Sequence, residues 1–227
     1  MNRFDPNGLT DFSMDKKTGE VKQVGEANDD PNRIVKTDKH GNVKKKGEGF
    51  LGGLVRESKR GEAKVAVGGI EKGILKDGQN FRTENNIIQV GGEGQPTETG
   101  VEAFALKLSN YVGKEIKGAY FGGENTTHMS IGMYKFNDHK KSVASGHALG
   151  MSQGLNLTGF FHTHPGDGHS ISNSDRLVPS DQDLDSRDAA LLYNPNLRFF
   201  LITAPEHYGD EYPKKIPYTT GYSRRLR

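Results

Sequence analysis

The apolar residues are distributed unevenly along the chain and divide it into two parts. Residues 1–95 are rich in Gly, Lys, Asp and Asn, and their short apolar stretches are separated by turn-forming residues. After a glycine-rich break at 91–94, apolar residues become frequent and follow longer periodic patterns. We therefore predict a β-rich N-terminal extension over residues 1–95 and a separate domain over residues 96–227.

Short strands and turns are predicted in the extension. The segments "DKKTGEVK" (15–22) and "DKHGNVK" (38–44) share an Asp-Lys, turn, Gly-x-Val-Lys pattern that is typical of hairpins or exposed strand ends. Two further strands are predicted over residues 70–75 and 86–90.

An amphipathic helix is predicted at the start of the second part. Its apolar residues recur at i, i+3, i+4, i+7 and i+11, and Gly113 marks its end. These residues are Val101, Phe104, Ala105, Leu108 and Val112.

Strands and a second helix follow. The stretches 115–123, 128–136 and 155–165 are rich in aromatic or β-branched residues between turn residues, which predicts strands. Ser180 is a good N-cap followed by acidic residues, so a helix is expected from there, leading to the apolar strand 197–203. This order predicts an α+β fold, a three-layer α/β domain with a mixed sheet flanked by helices.

Composition narrows the possible functions. The 31 Lys and Arg nearly cancel the 29 Asp and Glu, which argues against a nucleic-acid surface built on a large basic excess. There is no cysteine, so any metal must be bound by His, Asp or Glu. No window of 18 apolar residues and no signal-peptide pattern occur, so we expect no membrane insertion.

The most informative stretch begins with two histidines at the end of a predicted strand. In a strand, residues i and i+2 face the same side, so His162 and His164 would present both imidazoles together while Thr163 faces away. Zinc prefers two such nitrogens and a carboxylate, with one position left for water in a catalytic site. Asp183, the third residue of the helix capped by Ser180, is the candidate carboxylate.

The residues "HTHP" (162–165) and "PSDQDL" (179–184) resemble the signature of the JAMM (MPN+, JAB) zinc metallopeptidases. That signature runs Glu, His-Ser/Thr-His-Pro and Ser-x-x-Asp, and the resemblance covers roughly residues 101–203. It implies a cytidine-deaminase-like three-layer architecture and hydrolysis of peptide or isopeptide bonds next to ubiquitin-like proteins. It also implies that an upstream glutamate is the general base and that Ser180 stabilises the oxyanion.

The glutamate of the signature matches Glu115 best. In the family it opens a strand after an amphipathic helix, and here Glu115 opens the predicted strand that Gly122 closes. Glu102 on the helix and Glu124 beyond the strand are the competing candidates.

The spacing of the signature leaves the third ligand open. The family normally has seven residues between the second His and the Ser, whereas fifteen separate His164 from Ser180. Ser172 and Asp175 also satisfy Ser-x-x-Asp and fit the shorter spacing. We favour Asp183 over Asp175, because a Pro precedes Ser180 and an amphipathic helix follows it.

The N-terminal residues "NRFDPNGLTDF" (2–12) resemble the junction that ends the repeat shell of Rhs/YD-repeat proteins. This resemblance implies a C-terminal domain of a bacterial polymorphic toxin, delivered into a target cell by a secretion system and paired with an immunity protein. The expected function is therefore a zinc hydrolase that acts on a protein substrate. The alternatives are a non-catalytic MPN-like interaction module and a toxin with another hydrolytic chemistry, such as deamidation.

Overall fold

The structure is a computed structural model that describes residues 10–26, 31–46, 62–135, 145–165, 177–204 and 213–221. The chain forms two compact units, Met1–Asn80 and Phe81–Arg227. Among the described residues, each unit contains one mixed β-sheet and the helices all lie in the second unit, so the α+β class is confirmed. The boundary lies fifteen residues before the predicted one at 95 (95 − 80 = 15).

The first unit contains a four-stranded sheet in the order β2-β1-β3-β4. Its strands are β1 (Asp11–Met14), β2 (Val21–Gln23), β3 (Asn32–Val35) and β4 (Val65–Ile70). β1 pairs with β3 in parallel, and the other pairs are antiparallel. The strand predicted over 70–75 is wrong, because β4 ends at Ile70 and turns follow it.

The two echoed segments of the first unit are both hairpin turns. The carboxylate of Asp15 accepts backbone hydrogen bonds from Lys17 and Thr18, between β1 and β2. The carboxylate of Asp38 accepts backbone hydrogen bonds from His40 and Asn42 in the same manner. An Asp that caps its own turn explains why the two segments share a sequence pattern.

The second unit contains a six-stranded sheet in the order β10-β9-β8-β6-β7-β5. Its elements are β5 (Asn86–Gln89), α1 (Glu98–Val112), β6 (Lys117–Gly122), β7 (Thr126–Ile131), α2 (His147–Ser152), β8 (Leu157–Thr163), α3 (Asp181–Tyr193), β9 (Arg198–Thr203) and β10 (Lys214–Pro217). β8 and β9 are parallel, and the remaining pairs are antiparallel. β5, assigned to the extension from sequence, pairs with β7 in this sheet.

Both predicted helices form, and Gly113 and Ser180 lie at the helix ends that the sequence indicated, whereas the cap at Thr97 was not predicted. Thr97 caps α1 by accepting a hydrogen bond from the Gly100 amide. Gly113 ends the helix in the left-handed conformation, with φ of 68°, which glycine adopts without steric cost. Ser180 is the N-cap of α3.

The two long helices pack on opposite faces of the sheet. Leu184 of α3 belongs to a buried cluster with Phe199 and Leu201 of β9. On the other face, Lys215 of β10 bonds to Glu98 and Glu102 of α1. Since alternate residues of β9 face opposite sides, the sheet lies between the helices.

None of the helices within these described ranges is long and apolar enough to cross a membrane.

Candidate metal centre

The two predicted histidine ligands lie at the end of β8, on the face covered by α3. His162 pairs with Leu201 of the parallel strand β9, and the His164 amide donates a hydrogen bond to the Ile202 carbonyl at 3.0 Å. Their ring centroids are 5.0 Å apart. The two side chains are almost fully buried, at 2% and 4% exposure, so backbone pairing and packing fix both imidazoles.

Asp183 lies opposite these rings in the first turn of α3. The Ser180 amide and hydroxyl both donate to Asp183 Oδ2, at 3.0 and 2.6 Å, while the Asp183 amide donates to Ser180 Oγ at 3.3 Å. This reciprocal capping box holds the carboxylate at the helix N-terminus, where the helix dipole favours an anion. Burial opposes ionisation, but His162 and the Ser180 hydrogen bonds lower the pKa of Asp183 below its ordinary value.

These three side chains form a buried group that could hold a metal ion. One potential ligand atom from each of His162, His164 and Asp183 lies within 4.8 Å of the others. His162 Nε2 is 3.4 Å from Asp183 Oδ2, yet among the described residues it has no hydrogen-bond partner. A buried nitrogen without such a partner is costly, and an ion coordinated there would remove that cost.

The protonation state of His162 also suits a metal ligand. Burial lowers the pKa of His162 to about 4; the negative charge of Asp183 acts in the opposite direction, and His164 and Lys117 each add a smaller lowering effect. The imidazole is therefore neutral at pH 7, as metal coordination requires. Two nitrogens and one carboxylate oxygen form the donor set that zinc prefers in catalytic sites.

Tyr218 orients the His162 ring through a contact with Nδ1. Its hydroxyl lies 3.2 Å from His162 Nδ1. If Nε2 coordinates a metal, Nδ1 carries the proton and donates it to the Tyr218 oxygen, which fixes the tautomer and the ring. Burial raises the pKa of Tyr218, so its hydroxyl stays protonated. Sequence reasoning missed this residue, since Tyr218 follows the short strand β10, which was not predicted.

Glu115 reaches the group from the segment before β6. Its Oε1 lies 3.7 Å from His164 Nε2. The side chain keeps 26% of its surface exposed, so it borders both the buried ligands and solvent. Burial, followed by the negative charge of Asp183, raises the pKa of Glu115 to about 7, with Lys117 acting in the opposite direction. A carboxylate with such a pKa can exchange a proton near neutral pH.

Lys117 is the second residue that sequence reasoning missed. It pairs with His162 between β6 and β8, and its Nζ lies 4.0 Å from Asp183 Oδ1. The alternation that brings Glu115 to this face also brings Lys117 there, because the two residues are two apart. The two-residue spacing from Glu115 to Lys117 is visible in the sequence, but lysine is not a usual metal ligand and so was not considered.

The competing glutamates do not reach the group. Glu102 is buried in α1, where it accepts hydrogen bonds from the Tyr120 hydroxyl and from Lys215 Nζ, at 2.6 and 2.5 Å. Glu124 is exposed in the turn between β6 and β7.

The other assignments made around the motif have different outcomes. Ser172 and Asp175 lie outside the described residues, so the alternative in which Asp175 is the third ligand stays a prediction. Ser180 lies beside the group, but its hydroxyl proton is donated to Asp183.

Comparison with known proteins finds no family model that matches this chain and no similar curated protein. What is inferred about function therefore depends on the geometry of this group and on the sequence motifs around it.

Proposed function

We propose that this chain is a zinc-dependent hydrolase of the JAMM class that cleaves a peptide or isopeptide bond in a protein target. The observation that carries the proposal is the placement of Glu115 beside the buried group of His162, His164 and Asp183. A purely structural ion site needs no additional half-buried carboxylate with solvent access at its edge.

His162, His164 and Asp183 would hold the ion through Nε2, Nε2 and a carboxylate oxygen. When bound, zinc supplies Lewis acidity, which favours deprotonation of water and polarises a carbonyl. The neutral His162 and the ionised Asp183 are already in the protonation states that coordination requires.

Glu115 would act as the general base and acid. Its carboxylate accepts a proton from the attacking water and returns it to the leaving amine as the C–N bond breaks. The raised pKa suits this exchange, since the group binds and releases a proton near neutral pH. Lys117 favours the ionised form of Glu115 and so limits how far its pKa rises.

Ser180 would stabilise the oxyanion of the tetrahedral intermediate. Its hydroxyl now donates to Asp183 Oδ2, so a developing oxyanion would compete for that proton. The Ser180 amide also donates to the same carboxylate, so the cap survives when the hydroxyl turns away.

The wider biological role extends the same proposal. The JAMM resemblance supports a three-layer architecture of the cytidine-deaminase-like type and a target that is ubiquitin-like or conjugated to another protein. The Rhs-like residues 2–12 support a toxin domain delivered by a secretion system and neutralised by an immunity protein. Most of that motif, including Asp5 to Gly8, lies outside the described residues.

The position of Glu115 favours catalysis over the non-catalytic alternative. An interaction module that keeps an ion for stability gains nothing from a carboxylate that is held 3.7 Å from a ligand and carries a raised pKa. Deamidation uses the same water activation, so the two hydrolytic chemistries differ only in their products.

The test combines metal analysis with product analysis. Purified protein should contain close to one zinc per chain and should release new peptide termini from a target-cell lysate, detected by mass spectrometry. Glu115→Gln should keep the zinc and lose the cleavage, whereas the exposed control Glu124→Gln should keep both. Protein without zinc, or undiminished cleavage by Glu115→Gln, would contradict the proposal, and a mass gain of about one dalton in glutamine-containing peptides without new termini would indicate deamidation.

A further inference from the structure

A cavity of about 250 Å³ lies directly beside the candidate ligands, between α3 and the sheet. His162 and Asp183 form part of its wall, so the cavity and the metal group share two side chains. Most of the remaining wall is apolar and includes Phe160, Phe199 and Ala190. A substrate held at the metal group would therefore have an apolar recess next to it.

Ring contacts and a hydrogen bond hold the wall of this cavity in place. The rings of Phe160 and Phe199 stack with centroids 5.5 Å apart and an interplanar angle of 28°. Phe160 also contacts the His147 ring edge-on at 5.5 Å. The segment before His147 is tied to β7, because the Ser130 hydroxyl donates to the Ser145 carbonyl at 2.5 Å. These contacts fix the positions of the side chains that line the cavity.

The cavity is reachable from solvent. Phe160 and Ala190 are only half-buried although they face the core layer between α3 and the sheet, and Ser186 at the edge is exposed. Its volume exceeds the cavity of about 150 Å³ that accepts benzene in another protein core. It is smaller than the sites of about 300–1,000 Å³ that enclose whole small-molecule ligands. A cavity of this volume is therefore suited to one large side chain.

We infer that this cavity is a specificity subsite that receives a large apolar side chain, of the Phe, Leu or Met class, from the substrate residue next to the cleaved bond. This inference rests on the proposed hydrolase function. Burial of such a side chain against apolar walls removes apolar surface from water and so stabilises the bound substrate. Glycine at the same position has no side chain to bury. Because His162 and Asp183 form part of the cavity wall, the side chain that it receives would belong to a residue beside the cleaved bond and not to a remote part of the substrate.

Two variants on α3 test the subsite. Ala190→Phe fills the cavity from the helix side, and Ser186→Phe narrows its exposed edge. Ala189→Phe is the matched control, because Ala189 is the neighbouring alanine on the exposed face of the same helix. Zinc content and circular dichroism establish that each variant is folded. Ser186→Phe keeps the test valid if Ala190→Phe does not fold.

The first readout is cleavage of a proteome-derived peptide library. The wild type and Ala189→Phe should prefer Phe, Leu or Met over Gly next to the cleaved bond, by at least about 10-fold in kcat/KM. Ala190→Phe and Ser186→Phe should lose that preference, mainly through a raised KM, while still cleaving peptides with small residues there. Cleavage without an apolar preference, unchanged in these variants, overturns the subsite and leaves the hydrolase intact.

The second readout does not depend on hydrolysis. N-acetyl-phenylalanine amide, titrated into the zinc-loaded protein, should shift the backbone NMR signals of Phe160, Ala190 and Phe199. N-acetyl-glycine amide should not shift them, and Ala190→Phe should abolish the response. Binding of the phenylalanine probe to a protein that cleaves no peptide overturns the proposed function and the subsite with it, whereas cleavage without probe binding overturns the subsite alone.

Discussion

Thr163 and Ile116 exchange two hydrogen bonds: the Thr163 amide donates to the Ile116 carbonyl at 2.9 Å, and the Ile116 amide donates to Thr163 Oγ1 at 2.9 Å. Thr163 is fully buried and lies between the two histidines at the end of β8. Its side chain faces away from them, as the sequence predicted, and fastens the segment that carries Glu115. The residue between the candidate ligands therefore positions the candidate base.

Replacing Thr163 by Val should separate the support of Glu115 from the binding of zinc. The variant leaves the buried Ile116 amide without its side-chain acceptor, which costs about 1–3 kcal/mol in the free energy of unfolding. We expect kcat to fall more than zinc affinity, because Glu115 loses its support while the ligands keep their backbone pairing. Thr163→Ser restores the acceptor and should recover most of kcat. An equal loss of zinc affinity and kcat in the valine variant would contradict this division of roles.

Asp183→Asn should remove the charged ligand and weaken zinc binding by more than about 100-fold, beyond the 10- to 100-fold typical of residues that only support a ligand. Asparagine still accepts a hydrogen bond, so the loss of helix stability should stay below about 1 kcal/mol. Asp185→Asn is the control, because Asp185 is exposed on the same helix. Zinc affinity can be measured by competition with a chromophoric chelator. Equal affinities of the two variants would exclude Asp183 as a ligand and turn attention to Asp175.

Tyr218→Phe should lower zinc affinity by about 10- to 100-fold without disturbing packing, because only the hydroxyl beside His162 Nδ1 is removed. Tyr120→Phe is a hydroxyl deletion on the other face of the sheet, where the hydroxyl donates to Glu102. That control should lose stability but keep zinc affinity. If both variants bind zinc like the wild type, Tyr218 does not orient the ligand.

The metal-free protein should lose stability on acidification because of His162. Its pKa of about 4 in the folded state lies below the ordinary 6.5, so the unfolded state binds the proton first as pH falls. Above pH 6.5 the neutral imidazole makes its full contribution to the free energy of unfolding. This contribution falls by about 3 kcal/mol as the pH is lowered to 4.

Chemical denaturation of the metal-free protein at pH 7 and pH 4 measures this effect. Between pH 7 and pH 4, the free energy of unfolding of His162→Gln should fall by about 3 kcal/mol less than that of the wild type. The comparison removes the contribution of Glu115, whose raised pKa acts in the opposite direction. Equal pH dependence of the two proteins would show that the His162 environment does not disfavour the charged imidazole.

Local patterns predicted much of the second unit. α1 follows a regular 3.6-residue period that ends near Gly113, and α3 begins at a serine cap, so both helices could be placed from sequence. The histidines were placed correctly on one face, because the two-residue alternation of a strand needs no tertiary information.

The parts that were missed depend on contacts between distant segments. β5 resembles the short strands that precede it, and only its pairing with β7 assigns it to the second sheet. β10 has the sequence Lys-Lys-Ile-Pro, which lacks an apolar period, and it is recognisable only beside β9. Tyr218 was missed for the same reason.

The candidate ligands come from two stretches of chain, the end of β8 and the first turn of α3, with eighteen residues between His164 and Asp183 (183 − 164 − 1 = 18). An ion bound by both stretches would be a chemically removable cross-link that closes this loop and restricts the unfolded chain. Chelation would then loosen the attachment of α3 at the same time as it ends hydrolysis. If the chain is the proposed zinc hydrolase, withholding zinc would stop the hydrolysis and expose α3 to proteolysis in one step.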